Sequence, residues 1–159
     1  MKKILPILAL MASVNASATP DLVKFLIERK AMMAAKMQQQ KKAVQASYRL
    51  VLFYSNKCPY CRKFAPVLKD YSEKYELKIE PIALTRQTLP EFPQSTYATQ
   101  ELIDLAYQGK PVVYPALFIA NSKSHHIYPV AFGYLDPSAL EKRIGDLLPK
   151  IREYERTHG

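Results

Sequence analysis

The 159-residue chain has no tryptophan, four glycines, two cysteines and no apolar run of the roughly 20 residues that a membrane-spanning helix needs. Each shortage excludes something. So little glycine rules out a collagenous or low-complexity chain, and 48% hydrophobic with 23% charged residues is the composition of a globular domain able to bury a core. At roughly 100 to 200 residues per domain, there is room for one domain and a short extension. Cys58 and Cys61 are the whole cysteine inventory, so no disulfide framework staples distant segments, and any bridge within the chain joins these two. No internal repeat is visible.

The first 18 residues read as a leader. Lys2 and Lys3 give a positive start, Ile4 to Val14 an apolar run, and Ala16-Ser17-Ala18 a small-residue cleavage pattern. The expectation is an exported, periplasmic protein cleaved near Ala18. The formal charge of +9 is spread among acidic residues, as in Lys69 to Lys74 and Glu141 to Arg152. This is the pattern of a solvated surface, and with no recognised nucleic-acid motif it argues against a nucleic-acid partner.

Thr19-Pro20-Asp21 is a helix start, with Thr as cap, Pro at the first position and an acid in the first turn. A long helix is predicted from Leu22 to about Gln45, with Leu22, Phe25, Leu26, Met33 and Met37 on one face. It is expected to lie against the domain that follows; the alternative is an arm for homodimerisation or partner docking. Leu50 to Tyr54 is apolar at successive positions, which predicts a central parallel strand. Pro59 to Tyr75 has helical spacing with a kink expected at Pro66, and Leu77 to Leu84 alternates as a strand that Pro81 assigns to an edge. Thr85 to Thr96 is predicted to be a surface loop, followed by a helix over about 97–108, a strand over 112–120 and an edge strand over 127–132 containing Pro129. Asp136-Pro137 opens a last helix that Pro149 is expected to kink or end. The domains are thus a signal peptide over 1–18, an N-terminal helix over 19–46, and an α/β domain over 47–159 with the order βαβ then αββα.

Cys58-Pro59-Tyr60-Cys61 follows the central strand and opens a helix. Two intervening residues bring the sulfurs within bonding reach across one turn, and the helix start presents free N–H groups to the first sulfur. This placement favours a thiolate at Cys58, with Lys57, Arg62 and Lys63 adding positive charge, and leaves Cys61 shielded as the resolving thiol. Arg62 stands where haem attachment requires His. A zinc site needs four ligands, and the other soft ligands are His125, His126 and His158, of which the adjacent pair would point to opposite faces of a strand. Neither metal nor cofactor is expected, and His125 and His126 read as surface residues of a turn or edge strand.

The strand, the CPYC motif at a helix start, Pro66, and Tyr114-Pro115 leading into the strand Ala116 to Ala120 resemble the thioredoxin superfamily from about Tyr48 to Ile151. The resemblance implies a thioredoxin-like fold with a central mixed sheet and an N-terminal helical extension. It also implies a cis Pro115 beside the dithiol, with Pro59, Tyr60, Tyr114 and Pro115 binding substrate. More narrowly, Cys58 to Lys69, the Tyr114-Pro115 strand and the leader are similar to the TrbB/TraF-like periplasmic thiol-disulfide isomerases of F-type conjugative transfer systems. The implied function is thiol-disulfide exchange on cysteine-containing exported proteins of a conjugative pilus or secretion apparatus, together with a membrane or periplasmic redox partner. Two other readings stand beside it: a non-catalytic assembly module of the transfer channel, and a glutaredoxin-like reductase, whose Gly-Gly is reduced here to Gly133-Tyr134. Leu52 stands six residues before Cys58, where thioredoxins bury an Asp, which speaks against a fast reductase cycle.

Overall fold

The computed structural model describes residues 20–158. The leader expected over 1–18 and the cap Thr19 lie outside the described residues. Helix α1 spans Pro20–Ser47, and the chain divides within it, after Gln40. In the first unit Leu22, Phe25, Leu26, Met33 and Met37 are exposed. Val23, Ile27 and Met32 are exposed as well, so the large apolar residues of this unit spread over a wider arc than one narrow stripe.

The second unit begins with the last turns of α1. Val44 packs on the core, and Gln45 Nε2 donates to the Tyr75 carbonyl at 3.2 Å and to Glu76 Oε2 at 2.8 Å. The elements that follow are β1 (Tyr48–Tyr54), α2 (Pro59–Tyr75), β2 (Lys78–Ala83), β3 (Thr96–Tyr97), α3 (Gln100–Tyr107), β4 (Ala116–Asn121), β5 (Ile127–Phe132) and α4 (Pro137–His158). They build one mixed sheet in the order β3-β2-β1-β4-β5. β1 is central, parallel to β2 and antiparallel to β4, with Leu52 opposite Pro81 on one side and Leu117 on the other.

Alternate residues of β1 feed two cores. Leu50, Leu52 and Tyr54 join Phe64 and Leu68 of α2 and Leu140, Ile144 and Ile151 of α4, while Val51 and Phe53 join Ile82, Phe118 and Tyr107 of α3. β5 forms an edge as its proline predicts, with Pro129 beside a bulge at Val130 that relieves the missing donor.

Four expectations change. β2 is not outermost over its whole length, because Ile82 and Ala83 pair with Thr96 and Tyr97 beyond Pro81. The segment predicted as a surface loop buries Leu89 and Phe92, and its Ser95 hydroxyl accepts a hydrogen bond from the buried Tyr54 hydroxyl at 2.7 Å. The last helix continues through Pro149 to His158, and the turn beyond the proline is anchored by buried Ile151. The strand expected from 112 starts only at Ala116, leaving 112–115 as a loop.

Candidate active site

β1 ends at Tyr54, and the chain turns through Ser55, Asn56 and Lys57 into α2. The Cys58 N–H donates to the Ser55 carbonyl at 3.1 Å, and the Lys57 N–H to the Ser55 hydroxyl at 3.3 Å. Cys58 is thereby the N-cap of α2, with its sulfur accepting from the Cys61 N–H at 3.4 Å. A helix start leaves its first N–H groups without intrahelical partners, and here the sulfur takes one of them. Pro59 at the first helical position has no N–H to leave unpaired.

The two thiols differ in surroundings. Cys58 is half-buried at the surface, whereas Cys61 is 1% exposed and packs in the core shared by β1, α2 and α4. Burial is the main cause that pushes the Cys61 thiol up to about 12; its contact with Cys58 pushes the same way, and a hydrogen bond from the Ser55 backbone opposes it. Leu52 is fully buried in this core, so no carboxylate occupies that position.

The remaining predicted residues converge on Cys58 from two segments. The Tyr114-Pro115 peptide is cis, and the Tyr114 carbonyl oxygen lies 3.9 Å from Cys58 Sγ. Pro115 is buried and its carbonyl accepts from the Gly133 N–H at 2.7 Å, which ties the loop to the end of β5. Tyr114 is exposed, as are Pro59 and Tyr60, the latter 63% so, on the α2 side of the sulfur. Of the nearby cations, Arg62 Nη1 donates to the Asn56 carbonyl at 2.8 Å, and Lys63 Nζ stands 4.7 Å above the Tyr134 ring. His125 and His126 lie in the turn between β4 and β5; His125 has a left-handed φ of 58°, and the expected strand geometry does not apply to the pair.

Two residues were not singled out by sequence. Ser55 supplies both oxygens that shape the turn before Cys58. Tyr107, at the end of α3, sends its hydroxyl to the Val113 carbonyl at 2.8 Å and so holds the loop that carries Tyr114. No sequence motif marks Tyr107; only its position before the left-handed Gln108 and Gly109 hints that the chain turns back there.

Comparison with known proteins agrees with this geometry. The family model described as "TraF: F plasmid transfer operon protein" matches residues 27–145, and the chain belongs to that family. It is 27% identical over 103 residues to Protein TrbB of Escherichia coli (strain K12), a match covering 65% of this chain and 57% of TrbB. The chain thus spans little more than half of that relative. Among solved structures it is similar to a thiol:disulfide interchange protein of the thioredoxin family from Chlorobium tepidum TLS. That match has a TM-score of 0.51 and 18% identity, covering 66% of this chain and 82% of the other. The fold is thioredoxin-like.

Proposed function

We propose that this TraF-family protein is a periplasmic thiol-disulfide oxidoreductase and isomerase, acting on cysteine-containing exported proteins of a conjugative pilus or secretion apparatus. The observation that carries the reading is the unequal pair at the start of α2: a surface sulfur facing the Tyr114 carbonyl, and a buried one a single turn behind it. The similarity to TrbB and the family's description support the conjugative setting.

In the proposed reaction the Cys58 thiolate attacks one sulfur of a substrate disulfide. That bond breaks, a mixed disulfide forms and the second substrate sulfur leaves as a thiolate. In isomerisation a substrate thiolate then attacks the mixed disulfide, making a new substrate bond and returning Cys58 without net electron transfer. In reduction Cys61 attacks instead, after losing its proton, and the enzyme keeps a Cys58–Cys61 disulfide while the substrate gains two electrons. The high proton affinity of Cys61 slows this second route and favours the first. Pro59, Tyr60, Tyr114 and Pro115 are assigned to substrate binding because they surround the attacking sulfur.

Refolding of ribonuclease carrying scrambled disulfides tests the reading. The protein is expected to restore ribonuclease activity in a glutathione buffer, and Cys58→Ala to lose that ability. Rates equal to buffer alone for the wild-type chain would reject exchange and favour an assembly role.

A further inference from the structure

The sheet face covered by α3 is incompletely sealed. Ala116, Phe118 and Ala120 of β4 pair with Phe132, Pro129 and Ile127 of β5, so these three β5 residues share the α3 face. The eight-residue α3 is too short to cover them, and they border a groove of about 350 Å³ together with Tyr107, Val113 and Phe118. Phe132 is 55% exposed although its ring meets Phe118 edge-on at 5.7 Å. An aromatic floor with an exposed aromatic rim is unfavourable in water, and covering it with an apolar group lowers the free energy.

The position of the groove identifies its occupant. Val113 lines it, and the carbonyl of the next residue, Tyr114, is the group 3.9 Å from Cys58 Sγ. A polypeptide joined to Cys58 and running along this loop reaches the groove within a few residues, at about 3.3 Å per extended residue. The space takes one or two bulky side chains and excludes a folded domain. Val112, Val113 and Tyr114, on the loop that joins the two places, are exposed apolar side chains.

We infer that the groove between α3 and β5 binds an apolar side chain of an unfolded substrate polypeptide, a few residues from the cysteine presented to Cys58. This selects disulfides flanked by large aliphatic or aromatic residues, the segments that a misfolded protein exposes and a native one buries. The inference rests on the exchange reading of the dithiol and deepens it.

The test measures binding without chemistry. Fluorescein-labelled peptides with a central serine in place of cysteine, flanked by either Leu-Phe or Ser-Gly, are titrated against the full chain carrying Cys58→Ser and Cys61→Ser. The Leu-Phe peptide is expected to bind about tenfold more tightly. Adding Phe132→Ser or Ile127→Ser removes that preference and Phe132→Leu keeps it, with circular dichroism checking the fold. Equal affinity for both peptides, or a preference that survives both serine substitutions, overturns the inference. So does Phe132-dependent self-association, which would make a second copy the occupant. Turnover of hydroxyethyl disulfide by the wild-type chain reports separately on the exchange reading, so failure of one is told apart from failure of the other.

Discussion

The two faces of the sheet are built to different standards. On one, α2 and α4 seal Leu50, Leu52, Tyr54, Leu117 and Ile119 beneath Phe64, Leu68, Leu140 and Ile144, and Cys61 sits in that dry layer. On the other, the short α3 covers Val51, Phe53 and Phe118 but leaves Phe132 exposed. The sealed face gives the protein its stability and keeps one thiol protonated. The open face adjoins the surface thiol and leaves it apolar ground on which a second chain can lie.

The largest test of that difference is a cavity in the sealed face. Phe64→Ala, with the ring fully buried against Tyr134, is expected to lose about 3–5 kcal/mol in denaturant unfolding, and Leu140→Ala about 2–5 kcal/mol. An equal loss from Phe132→Ser would erase the distinction between the faces.

Alkaline pH probes the buried titrating groups of both faces. Burial raises Cys61 from 9.0, and Tyr71 and Tyr107 from 10.0, each to about 12. The unfolded chain therefore gives up these protons first. Their contribution to stability is complete below about pH 9 and lost as pH rises towards 12. Unfolding curves at several pH values should show the midpoint falling across that window, and a flat profile would contradict the burial of these groups.

On the open face, Tyr107→Phe removes one part-buried hydrogen bond, to the Val113 carbonyl, at a cost of about 0.5–1.5 kcal/mol in denaturant unfolding. Smallest of all, Phe132→Ser should change stability by less than about 1 kcal/mol, because the side chain is already largely in water.

The placement of the candidate dithiol was readable in the sequence because it depends on neighbouring residues. A strand apolar from Leu50 to Tyr54, then Cys58-Pro59-Tyr60-Cys61 opening a helix, places both sulfurs through elements adjacent in the chain. The sealed core was equally legible, since Phe64, Leu68, Leu140 and Ile144 fall at helical spacing. Contacts made across distance were not. Leu89 and Phe92 lie among prolines with no period to mark them as buried, and Tyr54 finds Ser95 only once the fold closes. The hydroxyl of Tyr107 acts through a backbone carbonyl, which no residue type at position 113 announces. Of the two outcomes open to Pro149, a kink or an end, the end is excluded because the helix runs on to His158, and one residue could not decide between them.

The central claim is that the two sulfurs have unequal roles, and trapping of mixed disulfides tests it most directly. Epitope-tagged Cys61→Ala and Cys58→Ala are produced in cells, quenched in acid and resolved on non-reducing gels. Cys61→Ala should accumulate covalent complexes that disappear on reduction, whereas Cys58→Ala should yield few or none. Equal trapping by both variants, or trapping by Cys58→Ala alone, would contradict the assignment of Cys58 as the attacking thiol.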